Sequence, residues 1–296
     1  VAIHDSRSDR AYYLVNYLVL GIFCALVLYP LIYVLSASFS DATAIANNEV
    51  YLWPVGFSTQ AYQAIWASPR LLIGFGNSVL YTVTAALIGT TLTVLAGYVA
   101  SREELPFRRV IVVFFLLPTL ISAGIVPLYI VIKQMDLLDT RWAIILPTAM
   151  SMFQVIITRT FYQINVPKEL VEAGRVDGAN DFSMFFRIAL PLSKPIIAVN
   201  LLFYGLAQWN DWFNAFLYTS NPDLSPLQFV LQQLLAESSV SPSMMGSGDV
   251  AAILAKKELF DKLKYAMIVV AMVPPLIAYP FVQKHFVKGA LIGAVK

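Results

Sequence analysis

The chain has 296 residues, of which 58% are hydrophobic and 13% charged, and it carries a net charge of +2. Its mean hydropathy is +0.70. A soluble domain is about a quarter charged, so this composition excludes a soluble enzyme and describes a polytopic membrane protein. No basic block is present to bind nucleic acid. The one cysteine, Cys24, sits in an apolar run and cannot form an internal disulfide, and His4 and His285 lie too far apart in sequence to indicate a histidine metal site. No G-x-x-x-x-G-K-[ST] motif occurs, and Gly246-Ser247-Gly248 is loop glycine without the lysine of a phosphate cradle. If ATP drives this protein, a partner must bind it.

About 20 apolar residues are needed to cross a hydrocarbon core. In chain order the spans are expected at about 14–36, 72–100, 110–132, 142–161, 196–218 and 265–282, in one membrane domain covering 1–296. The first has no small-residue cleavage pattern after a short apolar core, so a retained helix is expected. The third is expected to be broken by Pro118 and Pro127. Loops 38–70 and 219–264 fall on one side, and the first of these, with Trp53, Phe57 and Tyr62, suits a membrane interface. The N-terminus, the 102–109 loop, the 159–195 loop and the tail hold most of the lysines and arginines. Both termini are therefore expected in the cytoplasm, in a multi-pass membrane protein.

The longest polar run on the cytoplasmic side is Pro167–Pro195. Pro167 suits the start of a helix, with Glu169 and Glu172 in its first turn. Leu170, Ala173, Gly174 and Asp177 recur at helical spacing, so one face would carry two small residues and admit another surface closely. Asp177-Gly178 signals a turn. Asn180 or Asp181 can cap a second short helix, with Phe182, Phe185, Phe186 and Ala189 as its apolar side. Leu190-Pro191 and Pro195 are expected to end it. The product is a helix–turn–helix outside the bilayer.

Glu172-Ala173-Gly174, Asp177-Gly178-Ala179 and Ile188-Ala189-Leu190-Pro191 resemble the EAA loop of binding-protein-dependent ABC importer permeases. The usual third residue of the triplet is Ala, where this chain has Gly174. The stretch from Tyr279 to Gly289, the finish Gly289–Lys296, Trp209-Asn210 and Asn77-Ser78 are similar to the carbohydrate branch of that family. Within it the six-span form looks like MalG-type permeases, most of all those for oligosaccharides and complex saccharides in lipoprotein-linked and alginate uptake. The resemblance implies an all-α, six-span, type I importer permease with a cytoplasmic helix–turn–helix coupling loop. It also implies a second related permease, two ATPase subunits, an extracytoplasmic solute-binding protein and a saccharide cargo. ATP and Mg would sit on the partner subunits, with no cofactor on this chain. Glu172, Ala173, Gly174, Asp177, Gly178, Ala179, Leu190 and Pro191 would form the ATPase-coupling site, and Lys288–Lys296 could reach toward the ATPase dimer.

Polar residues inside spans are costly and usually face a bundle interior. Asn200, Tyr204, Gln208 and Asp211 follow each other at spacings of 4, 4 and 3, with Trp209 and Asn210 beside them. Amides, hydroxyls and aromatic faces suit a sugar, so these six are the candidate translocation residues. Thr148, Ser151, Gln154 and Thr158 in span four, and Asn77, Tyr81 and Thr84 in span two, offer similar stripes. The competing reading of each is helix–helix hydrogen bonding. An ABC permease for a non-sugar solute and a secondary transporter are the alternative functions; the latter would need buried ionisable residues or discontinuous helices for ion coupling, and the mid-span regions hold almost no ionisable residues.

Overall fold

The computed structural model describes residues 7–121, 123–238, 263–280 and 283, and among these every regular element is helical. Most of the 219–264 loop and the tail signature beyond Pro280 lie outside the described residues. The chain divides into two compact units, 1–68 with 233–272 and 69–232 with 273–296.

In the first unit, α1 (Arg7–Ser38) contains the expected 14–36 span and exposes apolar side chains on all sides until its last turn. That turn is serine-rich for a reason. Ser36 Oγ donates to the Leu52 carbonyl at 2.6 Å, and Ser40 Oγ accepts from Val55 N at 3.1 Å. Ser58 N donates to the Phe39 carbonyl at 2.8 Å. Together these bonds close 39–58 into a loop whose ends meet. One short helix, α2 (Ala42–Ala46), lies inside this loop and another, α3 (Gln60–Ala67), follows it. Ala37, Ala44, Ile45 and Val50 form its small core, with Tyr33 and Tyr265 packed against them edge to face at 5.8 Å.

The second unit is built on α4 (Pro69–Ser101), which packs along α8 (Met152–Asn165) and α12 (Lys194–Trp209). Small residues on α4 set this close approach. A methyl added to Gly89 would lie 2.8 Å from the Tyr204 ring and 2.9 Å from the Ala149 carbonyl, and one added to Gly97 would lie 2.7 Å from Thr158.

Among the described residues three helices are long and apolar enough to cross a membrane: Ser8–Ser38, Pro69–Ser101 and α15 (Leu263–Pro280). The number rises to six if each bent pair is one span. The third expected span is such a pair, α5 (Arg108–Leu120) and α6 (Ile125–Gln134), bent by 115°. The break is not at the prolines. Pro118 stays inside α5 and Pro127 falls in the first turn of α6, where a missing N–H costs nothing. The helical path breaks instead between Leu120 and Ile125, where Gly124 takes a φ of +81°.

The fourth expected span is also a bent pair: α7 (Arg141–Ile145), continued by a 3₁₀ turn at Leu146–Thr148, and then α8, bent by 48°. Residues 196–218 are likewise not one helix. α12 ends at Trp209, and α13 (Phe213–Tyr218) begins after a break. α14 (Leu227–Ser238) follows a 3₁₀ turn at Pro222–Leu224.

Candidate functional site

The 167–195 segment folds as two helical arms. α9 (Lys168–Val176) follows Pro167, whose ψ of 161° is extended, and ends at Asp177-Gly178. Gly178 has a φ of +79°, so the turn needs the residue type found there. Asn180 then caps α10 (Asp181–Ser183), its side chain accepting from Ser183 N at 2.8 Å. A π-helical turn, Met184–Ala189, leads into α11 (Leu190–Leu192), and α12 departs at 75°. The wide turn runs directly into Pro191, which brings no N–H to an α-helical ladder. Pro191 and Pro195 therefore bend the helical path without ending it, because Pro195 occupies the first turn of α12.

The faces of these arms divide differently from the sequence expectation. Val171 and Gly174 are buried, while Glu172, Ala173, Asp177 and Gly178 are exposed and Ala179 is half-buried. Gly174 therefore packs against its own chain: the methyl end of Met184 occupies the space an alanine Cβ would need. On the second arm Phe185 and Ala189 point inward, whereas Phe182 and Phe186 are 76% and 57% exposed. Leu190 is half-buried and Pro191 exposed.

The inward residues join Val94 and Tyr98 of α4 and Tyr162 and Val166 of α8 in one apolar cluster. Tyr98 lies 5.0 Å from Phe185 and 5.4 Å from Tyr162, centroid to centroid. Both arms are thus seated on the ends of two long helices.

Ion pairs complete this seat, and they were not singled out in the sequence. Arg175 makes a two-pronged contact with Glu104, at 3.0 and 2.5 Å, and Lys168 pairs with Glu103. The Lys168 hydrogen bond holds the Glu103 carboxyl below its ordinary value, and Glu103 raises the Lys168 ammonium in turn. Each partner lies more than sixty residues from the other, so no local pattern announces the contact. Its only trace is the charge of the short 102–109 loop.

The second candidate set separates. Asn200 is fully buried and donates to Thr158 Oγ1 at 2.9 Å. The Tyr204 hydroxyl sits 2.5 Å from Thr93 Oγ1 and accepts the Ser151 N–H at 2.9 Å. Gln208 Oε1 accepts from Thr148 at 2.6 Å. These three residues of α12 hold α4 and both sides of the break before α8.

Trp209 is buried and meets Phe75 edge to face at 5.9 Å. Asn210 is exposed and bonds back to the Leu206 carbonyl at 2.8 Å. Asp211 leaves the stripe, because α12 has ended. Its carboxylate accepts from Asn214 N and Nδ2 at 3.2 and 2.7 Å and starts α13. In span two, Asn77 and Tyr81 bind the carbonyls of Asp223, Ser225 and Leu224, and Ser78 Oγ accepts from Leu227 N, which anchors the 222–227 turn.

A cleft of about 480 Å³ beside α12 has apolar walls, with Trp209, Gly205, Pro274 and Pro275 among them and the Thr82 hydroxyl as a polar group. No cluster of three or more His, Cys, Asp or Glu side chains that could hold a metal ion occurs among the described residues.

Residues 89–291 match the family of binding-protein-dependent transport system inner membrane components. The chain belongs to this family. The matched region contains both arms, their seat on α4 and α8, and the α12 hydrogen bonds. The permease is 36% identical to Protein LplC of Bacillus subtilis over 294 residues, covering 99% of this chain and 98% of the relative. It is 37% identical over 292 residues to YtcP of the same organism, a polygalacturonan/rhamnogalacturonan transport system permease protein, covering 98% and 99% of the two chains. A chain in the crystal structure of a bacterial ABC transporter involved in importing the acidic polysaccharide alginate superposes with a TM-score of 0.84. It has 30% identity and covers 96% of this chain and 99% of its own length.

Proposed function

We propose that this permease forms half of the membrane pathway of a type I ABC importer for an oligosaccharide. It crosses the membrane six times, counting each bent pair as one span, with both termini and the 167–195 loop in the cytoplasm. A second, related permease forms the other half. Two ATPase subunits carry ATP and Mg, and an extracytoplasmic binding protein delivers the sugar. The relatives named for galacturonan and alginate make a uronate-containing oligosaccharide the first cargo to test.

The observation that carries this reading is the two-sided build of the coupling loop. Its inner side is fused to α4 and α8 by a buried cluster, while its outer side presents Glu172, Ala173, Val176, Phe182 and Phe186 to solvent. A surface with exposed apolar side chains, acidic groups among them and a buried base is suited to receive a partner and pass its displacement on. Glu172 pairs with a basic residue in the ATPase groove, and Gly178 sets the angle between the arms. Asn200, Tyr204 and Gln208 hold the pathway helices together, and Asn210 is left as an exposed amide for sugar.

The test is co-purification from native membranes in mild detergent with an ATPase assay. A second permease and an ATPase should accompany the tagged chain, and Glu172→Lys should strip the ATPase away or uncouple hydrolysis from uptake. Normal uptake with normally stimulated hydrolysis in Glu172→Lys would defeat the coupling role. Purification of the chain alone, with transport that needs no ATP, would defeat the importer reading.

A further inference from the structure

A cleft of about 740 Å³ opens beside the start of α5. Three guanidinium groups line it, from Arg108, Arg109 and Arg159, together with the apolar side chains of Phe107, Val112 and Val113. Glu103 is the one carboxylate in its wall, and that carboxylate is already paired with Lys168. The cleft therefore has a strongly positive end. Among the described residues, neither Arg108 nor Arg109 closes an ion pair. Arg159 uses Nε to bond the Ala100 carbonyl at 3.2 Å, which fixes its plane and leaves its two terminal nitrogens for another acceptor.

The other end of the cleft is continuous with bare hydrocarbon. α5 buries none of its residues, and Val110, Val113, Phe114 and Leu117 are all exposed along it. Phe107 marks the junction: its ring is 81% exposed, and its φ of +56° is one that a bulky side chain rarely adopts. Two arginines at the head of an apolar helix, with a third beside them from a neighbouring helix, make a two-part receptor. One part takes a negative charge, and the other takes an acyl chain.

We propose that this cleft binds one anionic phospholipid, with its phosphate among Arg108, Arg109 and Arg159 and its acyl chain along Val112, Val113 and the open face of α5. Arginine suits this task because its planar fork engages phosphate oxygens in pairs. The site lies at the membrane end of the 102–108 loop, the same loop whose Glu103 and Glu104 grip α9. A bound lipid would therefore steady the base on which the coupling arms rest. This inference requires the chain to sit in a membrane, and it stands whether or not the cargo is a sugar.

Native mass spectrometry of the assembled complex can test it, using bilayer discs of phosphatidylcholine with phosphatidylglycerol as the probe. The parent should retain phosphatidylglycerol in preference to phosphatidylcholine. Arg108→Gln/Arg109→Gln/Arg159→Gln should lose that preference, at about fivefold per arginine removed. If the triple variant fails to assemble, Arg109→Gln alone, at an exposed position, should still show one such step. Lys133→Gln, on α6, should change nothing. Equal retention by parent and arginine variants would overturn the proposal. So would displacement of the lipid by inorganic phosphate or a short galacturonate oligomer at equal concentration, since either would make this a general anion site.

Discussion

The seam between α4, α8 and α12 and the seat of the 167–195 arms lie in one unit of the chain and are held by opposite means. The seam is buried. Its helices approach over Gly89 and Gly97 and are stitched by side-chain hydrogen bonds from Asn200, Tyr204 and Gln208. The seat has a small apolar cluster at its centre and exposed ion pairs at its rim. In the seam the α12 side chains that make these bonds are buried, and Asn200 Oδ1, Thr90 Oγ1 and Gln154 Oε1 are buried without a hydrogen-bond partner among the described residues. At the seat the outermost contacts can be broken and remade in water at little cost. The seam is therefore tied by bonds between helices from buried side chains, and the arms by a buried base with a solvent-exposed rim.

The sharpest way to break this contrast is Gly97→Val. The added carbons would collide with Thr158 and with the Arg159 backbone, at 2.7 and 3.1 Å for the first carbon alone. Overpacking of this kind costs about 1–3 kcal/mol or more. Thermal unfolding in detergent should show a clear drop in Tm, with reduced abundance in membranes. An unchanged Tm would mean that the helices part freely.

A smaller effect is expected from Tyr204→Phe, which leaves the Ser151 N–H and the Thr93 hydroxyl without their shared partner. About 1 kcal/mol is expected for such a bond inside a membrane protein. The variant should also loosen the break before α8, which faster hydrogen exchange in residues 149–153 would show.

At the seat, Gly174→Ala should be nearly neutral. The new methyl meets the flexible end of Met184, and the gain in helix propensity of about 1 kcal/mol offsets the repacking. Equal Tm and equal ATPase coupling are the expected readings.

The smallest effect is that of Glu103→Gln. The Glu103 pKa is lowered by Lys168, so its stabilisation is present above the ordinary carboxylate value and is lost as pH falls through the lower folded value. The Lys168 pKa is raised, so its share is present below the ordinary lysine value and is lost as pH rises through the higher folded one. The parent should exceed the variant slightly in Tm around neutrality, with the gap closing in acid and in high salt.

Much of the local geometry of 167–195 was legible because its signals are local. Gly178 at the turn, Asn180 as a cap and the proline at the head of α9 are each decided within four residues of chain. The order of the faces was not. Gly174 lies inward because Met184, ten residues on, folds back over it. Phe182 and Phe186 lie outward while Phe185 and Ala189 pack inward, and a π-turn after Ser183 departs there from the regular 3.6-residue period. The stripe in span five was read correctly in its spacing up to Gln208, and Asp211 left it because the helix stops at Trp209.

The sequence by itself determined that this is a membrane protein, roughly where its apolar helices lie, and that residues 167–195 form two short arms around a glycine turn. Composition, span length and turn chemistry are properties of neighbouring residues. Only the tertiary structure decided that Tyr204 and Gln208 clasp a broken helix, that Glu103 and Glu104 hold α9, and that three arginines from two helices meet beside bare hydrocarbon. Those arrangements join residues about fifty to seventy positions apart, and no local period records which distant side chain will close the contact.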